Sequence, residues 1–332
     1  GKNVMNRIKI LGSGLARGSQ KVTNFDLEKR VETNDEWIVQ RTGITSRYIS
    51  ETENTSDLAV RASLHAIENA GLQKEDIQVI IVATMTPDSM TPSTACLVQA
   101  KLGLNDYPIL AFDLNAACSG FLYAFQLACD LLNRYEHILA IGSETLSKII
   151  NWDDRSTCVL FGDGAGAMIV TKGQSQLYHY ANSEGDLDGV LKTEGLPLVH
   201  HLQNQLPTVG FLTMQGNDVF RFAVRVLKES IENVLEQAHL TIEDIDLIIP
   251  HQANYRIINH VAKRMKIDIS KFYMNLQDYG NTSAASIPIA YAEACEKGLM
   301  KDCKRVILVG FGSGLTYGAT LIDQVGGEDC VK

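Results

Sequence analysis

Three short polar islands in apolar surroundings carry the residue types that thiol chemistry needs. The first is Asp113-Leu-Asn-Ala-Ala-Cys118-Ser-Gly-Phe-Leu-Tyr, where a short apolar strand gives way to an amphipathic helix. A thiol at a helix start faces unpaired backbone N–H groups and the positive end of the helix dipole, and both favour the nucleophilic thiolate. The second island is Pro250-His251-Gln-Ala-Asn254, and the third is Tyr279-Gly280-Asn281-Thr-Ser-Ala-Ala-Ser286. A lone Cys with a distant His and Asn is the usual sequence footprint of thiol-based acyl transfer. Each island also has a plainer reading. A histidine after a strand is often hydrogen-bonded packing, and Gly280-Asn281-Thr282-Ser283 reads equally as a turn with an N-cap. Buried cysteines are mostly inert small hydrophobes, and Cys129, Cys295 and Cys303, in or beside helices, take that reading. Cys118 differs, because the Ala, Ser and Gly around it leave room for a substrate.

What must position the islands is a duplication. Gly71-Leu-Gln-Lys-Glu75-Asp76-Ile77 resembles His239-Leu-Thr-Ile-Glu243-Asp244-Ile245, with Glu243 168 residues after Glu75. His137-Ile-Leu-Ala-Ile-Gly142 matches Arg305-Val-Ile-Leu-Val-Gly310 at the same spacing, and Tyr123-Ala124 fall on Tyr291-Ala292. Three matches at one spacing read as two copies of one α/β unit. Each copy runs from an amphipathic helix (56–70 and 217–238) to a buried strand (78–84 and 245–250). A helix with a small-residue face follows (118–134 and 284–298), then a second strand (138–142 and 305–310). Short β-branched runs alternating with helices predict a mainly parallel, buried sheet in each half. The halves, 1–175 and 176–332, lack a linker and pack as one pseudo-symmetric body. At the shared spacing Cys118 corresponds to Ser286. All three islands follow strand ends, where parallel α/β sheets gather functional residues. Residues 183–212, with Gly185, Gly189, Gly195, Pro197, Pro207 and a surface His200-His201 pair, read as an excursion between the halves.

Composition removes other classes. The 332 residues, 45% hydrophobic and 21% charged, suffice for a large core, and a formal net charge of −9 excludes general nucleic-acid affinity. Seven cysteines form no CxxC pair and no zinc-type spacing, which predicts a reducing compartment, mostly buried free thiols and no metal. No signal-type apolar segment opens the chain and no run is long enough to span a membrane, so the expectation is a cytoplasmic protein. Gly310-Phe-Gly312-Ser313-Gly314-Leu-Thr316 is a glycine-rich turn after a strand whose N–H groups can face an anion, but it lacks phosphate-loop spacing. Phe161-Gly-Asp-Gly164-Ala-Gly166-Ala precedes the apolar Met168-Ile-Val instead of opening a helix, so it is no dinucleotide fingerprint.

Together Ala-Ala-Cys118-Ser-Gly-Phe, Asp154-Arg155-Ser, Phe161-Gly-Asp-Gly-Ala-Gly-Ala, His251-Gln-Ala-Asn254, Gly280-Asn281-Thr-Ser-Ala-Ala-Ser-Ile-Pro and Gly312-Ser-Gly-Leu-Thr resemble β-ketoacyl-acyl-carrier-protein synthase III, from about Ile8 to Ile322. The resemblance implies a thiolase-like αβαβα sandwich and an initiating condensing enzyme of fatty-acid synthesis. Cys118 would take an acyl primer from coenzyme A. His251 and Asn281 would hold the malonyl thioester carbonyl through their N–H groups while malonate loses carbon dioxide, and the carbanion would attack the acyl-Cys. Neutral donors at a developing oxyanion suit that step, and splitting acylation from condensation implies ping-pong kinetics. Backbone N–H groups of Cys118 and Ser313 would form a second oxyanion hole. Trp37, Arg41 and Arg155 match coenzyme A contacts, Gly216 and Asn254 match the pantetheine tunnel, and Phe161 the acyl pocket. Acidic acyl carrier protein would dock on Arg256, Lys263 and Arg264, with Arg221 and Arg225 on another helix. The family needs no cofactor, acyl-coenzyme A being a substrate, and acts as a homodimer.

Two positions depart from the family pattern. Ser313 stands where relatives commonly have Gly, placing a side chain in a crowded turn. Thr91, before Pro92, stands where many short-chain enzymes have Phe. In the family that residue closes the partner subunit's acyl pocket, so Thr91 implies a deeper pocket for branched or longer primers, unless Met90 fills the space. The competing readings are a related Cys-His-Asn acyltransferase of secondary metabolism and a non-catalytic acyl-coenzyme A-binding partner.

Overall fold

The computed structural model describes residues 7–206 and 210–323. The first half contains β1 (Ile8–Arg17), the ribbon β2 (Gln20–Thr23) and β3 (Ser46–Ile49) around α1 (Asn24–Glu28) and α2 (Asp35–Thr42), then α3 (Thr55–Ala70) and β4 (Val79–Ala83). It continues through α4 (Thr94–Lys101), β5 (Leu110–Leu114), α5 (Gly120–Leu131), β6 (Ile138–Glu144), the single turn α6 (Arg155–Cys158) and β7 (Gly164–Lys172). The second half opens with β8 (Gln176–Ser183), the two-residue strands β9 (Leu191–Lys192) and β10 (Thr213–Met214), α7 (Gly216–Ala238) and β11 (Leu247–Pro250). It closes with α8 (Tyr255–Met265), α9 (Leu276–Tyr279), α10 (Ser286–Glu296), β12 (Arg305–Gly312) and β13 (Thr316–Asp323).

Alternation along the strands sets the layers. On β4, Val79, Ile81 and Ala83 face the same core as α5 and α10, whereas Ile80 and Val82 pack with Leu58, Ala62 and Ala66 of α3. On β12, Val306 and Leu308 join that central core, and Ile307, Val309 and Phe311 face Phe222, Val226 and Leu227 of α7. Period-two strands thus bury both faces, with α3 outside one sheet, α7 outside the other and α5 with α10 between. The result is the αβαβα sandwich. Its local stops are chemical too: Asn54 and Asp57 form a capping box that starts α3, and Gly71, at φ 67°, ends it. The equivalent stop of α7 is His239, held at φ 55°.

The sheets have matching orders, β1-β7-β6-β4-β5 and β8-β13-β12-β11. They are mixed, which corrects the expectation of mainly parallel pairing. β4 runs parallel to β5 and β6, but β7 is antiparallel to β1 and β6, and β13 is antiparallel to β12 and β8. In the second sheet the reason is the glycine-rich stretch. Gly310 and Gly312 lie inside β12, and only Ser313–Leu315 connect it to β13, far too few residues for a parallel crossover.

The repeat spacing also changes along the chain. Ala116 and Ala117 (φ −126°, 49°) adopt the backbone of Thr282 and Ser283 (φ −106°, 51°), a spacing of 166 residues. The structural counterpart of Cys118 is therefore Ala284 and not Ser286, and Tyr123 does not correspond to Tyr291. In the second half a single bridge, Ile248 to Phe272, replaces the full strand β5, and the connection to the turn is two residues shorter.

Candidate active site

Each of those two turns packs on the other half's sheet. Gly312 of β12 lies against Cys118 so closely that a Cβ there would come within 2.6 Å of the Cys118 nitrogen; Gly142 of β6 would place one 2.1 Å from the Ala284 carbonyl oxygen. Only glycine permits such approaches. The exchange carries Cys118, a first-half residue, to the end of the second sheet, where His251 follows Pro250 on β11.

Cys118 sits in the turn Ala117–Ser119, ahead of α5, and its Sγ donates to Ser283 Oγ at 3.3 Å. Burial pushes the thiol up to about 12, the Ser283 hydrogen bond lowers it and the nearby Glu144 charge raises it. Burial is thus the largest influence on the thiol, and it opposes the pull toward thiolate that a helix start exerts. Glu144 is itself fully buried. Its Oε1 accepts from Thr84 Oγ1 (2.6 Å), the Met85 N–H (2.7 Å) and Thr86 Oγ1 (3.1 Å), and burial holds its pKa above the usual carboxylate value.

His251 is buried, and desolvation pulls it down to about 3, which keeps the imidazole neutral at physiological pH. Its Nδ1 is 2.6 Å from Ser286 Oγ, which also accepts the Gln252 N–H at 3.2 Å. When the Ser286 hydroxyl donates to Nδ1, the neutral ring carries its hydrogen on Nε2. Phe311 packs edge-on against the ring at 5.4 Å. Asn281 is fixed by a backbone bridge to Phe161 and by its Oδ1 accepting the Ser283 N–H at 2.8 Å, which leaves the Nδ2 hydrogens as its available donors. Ser283 and Ser286 have no bonding role legible in the third island, because their bonds to Cys118 and His251 span 165 and 35 residues.

Cys118, His251 and Asn281 line one cavity of about 450 Å³, together with Trp37, Arg41, Arg155, Gly216 and Asn254. The volume lies in the range of small-molecule sites. Arg41 and Arg155 place their guanidinium carbons 4.6 and 5.0 Å from the Trp37 ring centroid, so both cations rest on the indole. Arg155 also donates to the Glu32 carbonyl at 2.9 Å. Asn254 caps α8 through its Oδ1, and a Cβ on Gly216 would meet nothing within 4 Å. A second chamber of about 30 Å³ continues past Cys118, lined by Phe161, Met85, Leu191, Leu212 and Ser313 among others.

The remaining expectations divide. Thr91 is exposed and absent from both chambers of its own chain, beside Met90, which is 80% exposed. Arg256, Lys263 and Arg264 are exposed on α8 and have no carboxylate partner among the described residues. Arg221 and Arg225 differ, since they pair with Asp218 (2.6 Å) and Glu184 (2.9 Å). Cys118, Cys129 and Cys158 are buried, Cys295 and Cys303 half-buried and Cys96 exposed, so the thiols are less uniformly buried than expected; Cys330 lies outside the described residues. The excursion between the halves reaches the site, where Leu191 and Lys192 of β9 and the following Thr193 line the inner chamber. His200 of the His200-His201 pair is exposed. Among the described residues no cluster of three metal-type ligands exists, and no helix is long and apolar enough to cross a membrane.

Known proteins match this chain over nearly its whole length. Residues 112–189 match the family model for 3-oxoacyl-[acyl-carrier-protein] synthase III, and residues 235–324 match the model for its C-terminal part. A β-ketoacyl-[acyl-carrier-protein] synthase III of Clostridium perfringens is 50% identical over 324 residues, 96% of this chain and 99% of that one. The Clostridium tetani protein of that name is 46% identical, with 96% and 98% covered. Among solved structures, the Aquifex aeolicus 3-oxoacyl-[acyl-carrier-protein] synthase III superposes with a TM-score of 0.88 at 43% identity, covering 95% of this chain and 99% of that one. The chain belongs to the β-ketoacyl-acyl-carrier-protein synthase III family, the condensing enzymes that initiate fatty-acid synthesis from an acyl-coenzyme A and malonyl-acyl carrier protein.

Proposed function

We propose that this chain performs that condensation through an acyl-Cys118 intermediate, with His251 and Asn281 as oxyanion donors. The observation that carries the reading is the continuous cavity from the Trp37–Arg41–Arg155 mouth to Cys118, His251 and Asn281. In acylation the Cys118 sulfur attacks the thioester carbonyl, coenzyme A leaves, and the Cys118 proton goes to the departing sulfur. Backbone N–H groups of Cys118 and Ser313 hold the carbonyl oxygen meanwhile. In condensation the His251 Nε2–H and Asn281 Nδ2–H groups bind the malonyl thioester oxygen. The bond to the carboxylate breaks, carbon dioxide leaves, and the carbanion attacks acyl-Cys118; the released thiolate then takes a proton from water. A neutral imidazole suits this work, since it donates without drawing the carboxylate away from the leaving position. No cofactor enters either half-reaction.

Coenzyme A binds at the mouth, where its adenine can lie on Trp37 once one guanidinium moves off the ring, and Arg41 or Arg155 reaches a phosphate. Gly216 and Asn254 line the path of the pantetheine arm. Arg256, Lys263 and Arg264 give the acidic carrier protein a positive landing on α8, whose first turn borders the cavity through Asn254 and Ile257; Arg221 is held by Asp218 and contributes less. The free outer edge of β5 and exposed Met90 and Thr91 support a homodimer in which Thr91 faces the partner's acyl pocket beyond Phe161. The reading places the enzyme in the cytoplasm. The test is a reconstituted assay with acyl-coenzyme A primers and malonyl-acyl carrier protein. The expected result is equal amounts of coenzyme A, carbon dioxide and β-ketoacyl-carrier product, with Thr91→Phe narrowing the primer range. Acyl transfer to hydroxyl acceptors without any carrier-bound product would overturn it.

A further inference from the structure

The Ser313 hydroxyl donates to the Leu191 carbonyl at 2.6 Å, joining the β12–β13 turn to the short ribbon of β9 and β10. Leu191 lines both chambers, so it stands where the entry cavity meets the inner pocket. The ribbon that holds it has only two residue pairs, Thr213 with Lys192 and Met214 with Leu191. So short a ribbon is marginal without outside support. Its other ties are Gln215 N–H to the Val190 carbonyl (2.8 Å), Val190 N–H to Asp186 Oδ2 (2.8 Å), Leu212 N–H to the Ile149 carbonyl (2.9 Å), and the packing of Leu191 and Leu212 on the core beside α7. The turn is in turn anchored to Glu184 and Asp186 by backbone bonds at Leu315 and Gly314 (Asp186 N–H to the Gly314 carbonyl, 2.9 Å), and Thr316 Oγ1 lies 2.9 Å from the Ala116 carbonyl beside the nucleophile turn.

We propose that the Ser313 side chain is a positioning residue that latches the β9 strap over the nucleophile and thereby sets the size of primer the inner chamber accepts. The backbone N–H of residue 313 is available to an oxyanion with or without the side chain; the hydroxyl acts on Leu191. With the latch in place Leu191 is fixed as a wall of the inner chamber, which measures about 30 Å³ within this chain. Without it the strap keeps its two pairs, its three flanking bonds and its packing on the core, but the Leu191 carbonyl loses its tie to the turn and Leu191 can yield to a branched primer.

This inference rests on Cys118 being the acyl-accepting thiol, and its test keeps the two apart. Wild type, Ser313→Ala, Ser313→Gly and Leu191→Ala are compared for acetyl- and isobutyryl-coenzyme A kcat/KM, and for tryptic cleavage after Lys192, the residue following Leu191. Loss of one neutral hydrogen bond corresponds to about a 3- to 10-fold rise in the isobutyryl-to-acetyl ratio for both Ser313 variants, matched in direction by Leu191→Ala. Cleavage after Lys192 accelerates by a similar factor in the Ser313 variants. An unchanged ratio, or unchanged proteolysis, overturns the latch. The protease arm reads the latch without any chemistry, so wild type that is never acylated at Cys118 counts against the site and not against the strap.

Discussion

The turns Ala117–Ser119 and Ser283–Ala285 share a backbone, down to a left-handed residue at the same step, yet they do different work. The first carries Cys118 into contact with β12. The second has Ala284 at that place, with Ser283 bonded to Cys118, Ser286 bonded to His251, and Asn281 held by the Ser283 N–H. The two turns are equivalent in backbone, and on the proposed mechanism the difference between them gives the nucleophile to one and the neutral donors to the other.

That division is broken most severely by removing the donors. Asn281→Ala or His251→Ala should cut condensation by about 10²- to 10³-fold, the usual cost of one oxyanion donor, while acyl transfer to Cys118 stays within about tenfold of wild type. Single-turnover acylation and steady-state condensation, measured side by side, decide this; equal losses in both would erase the distinction.

The two glycines sharpen the comparison next. Gly312→Ala should displace Cys118 and slow acylation at least about tenfold. Gly142→Ala should displace Ala284 and its neighbours and act mainly on condensation. Each overpacked site should also destabilise by about 1–3 kcal/mol in urea unfolding. Identical kinetic signatures for the two variants would contradict the exchange of turns between halves.

Acidification tests the neutrality of His251. Its folded pKa, about 3, lies below its ordinary 6.5, so the unfolded chain binds the extra proton. The stability this gives is present above pH 6.5 and is lost as pH falls from 6.5 toward 3. By pH 5 the loss is about 2 kcal/mol. His251→Gln should lose that much less stability than wild type between pH 7 and pH 5; equal losses would mean that His251 is not held neutral.

Ser286→Ala has the smallest expected effect. Losing the partner of Nδ1 should slow condensation by about 5- to 10-fold, with acylation moved less than about twofold, in the same paired assay.

Much of this was legible in the chain. Apolar β-branched runs placed β4, β6, β11 and β12 within a few residues, and the polar islands at strand ends named Cys118, His251 and Asn281, which one cavity joins. The strand senses were not legible, because nothing in the glycine-rich Gly310–Thr316 stretch says that β12 doubles straight back into β13. The repeat spacing misled for a similar reason. A constant 168 holds for the strands, but a lost strand shifts the turn that carries Cys118 to 166, so its counterpart is Ala284 where the constant spacing pointed to Ser286. The thiol's state depends on burial by residues far apart in sequence, which a helix-start argument does not include. Leu191 was hidden in a Gly- and Pro-rich stretch of surface composition.

The most direct measurement is intact-protein mass spectrometry with peptide mapping after mixing with acetyl-, isobutyryl- and octanoyl-coenzyme A, for wild type, Cys118→Ala and Asn281→Ala. The division between the halves requires an acyl-sized mass gain on Cys118 in wild type, its persistence in Asn281→Ala and its absence in Cys118→Ala. No gain with any primer, or a gain that survives in Cys118→Ala, would contradict it.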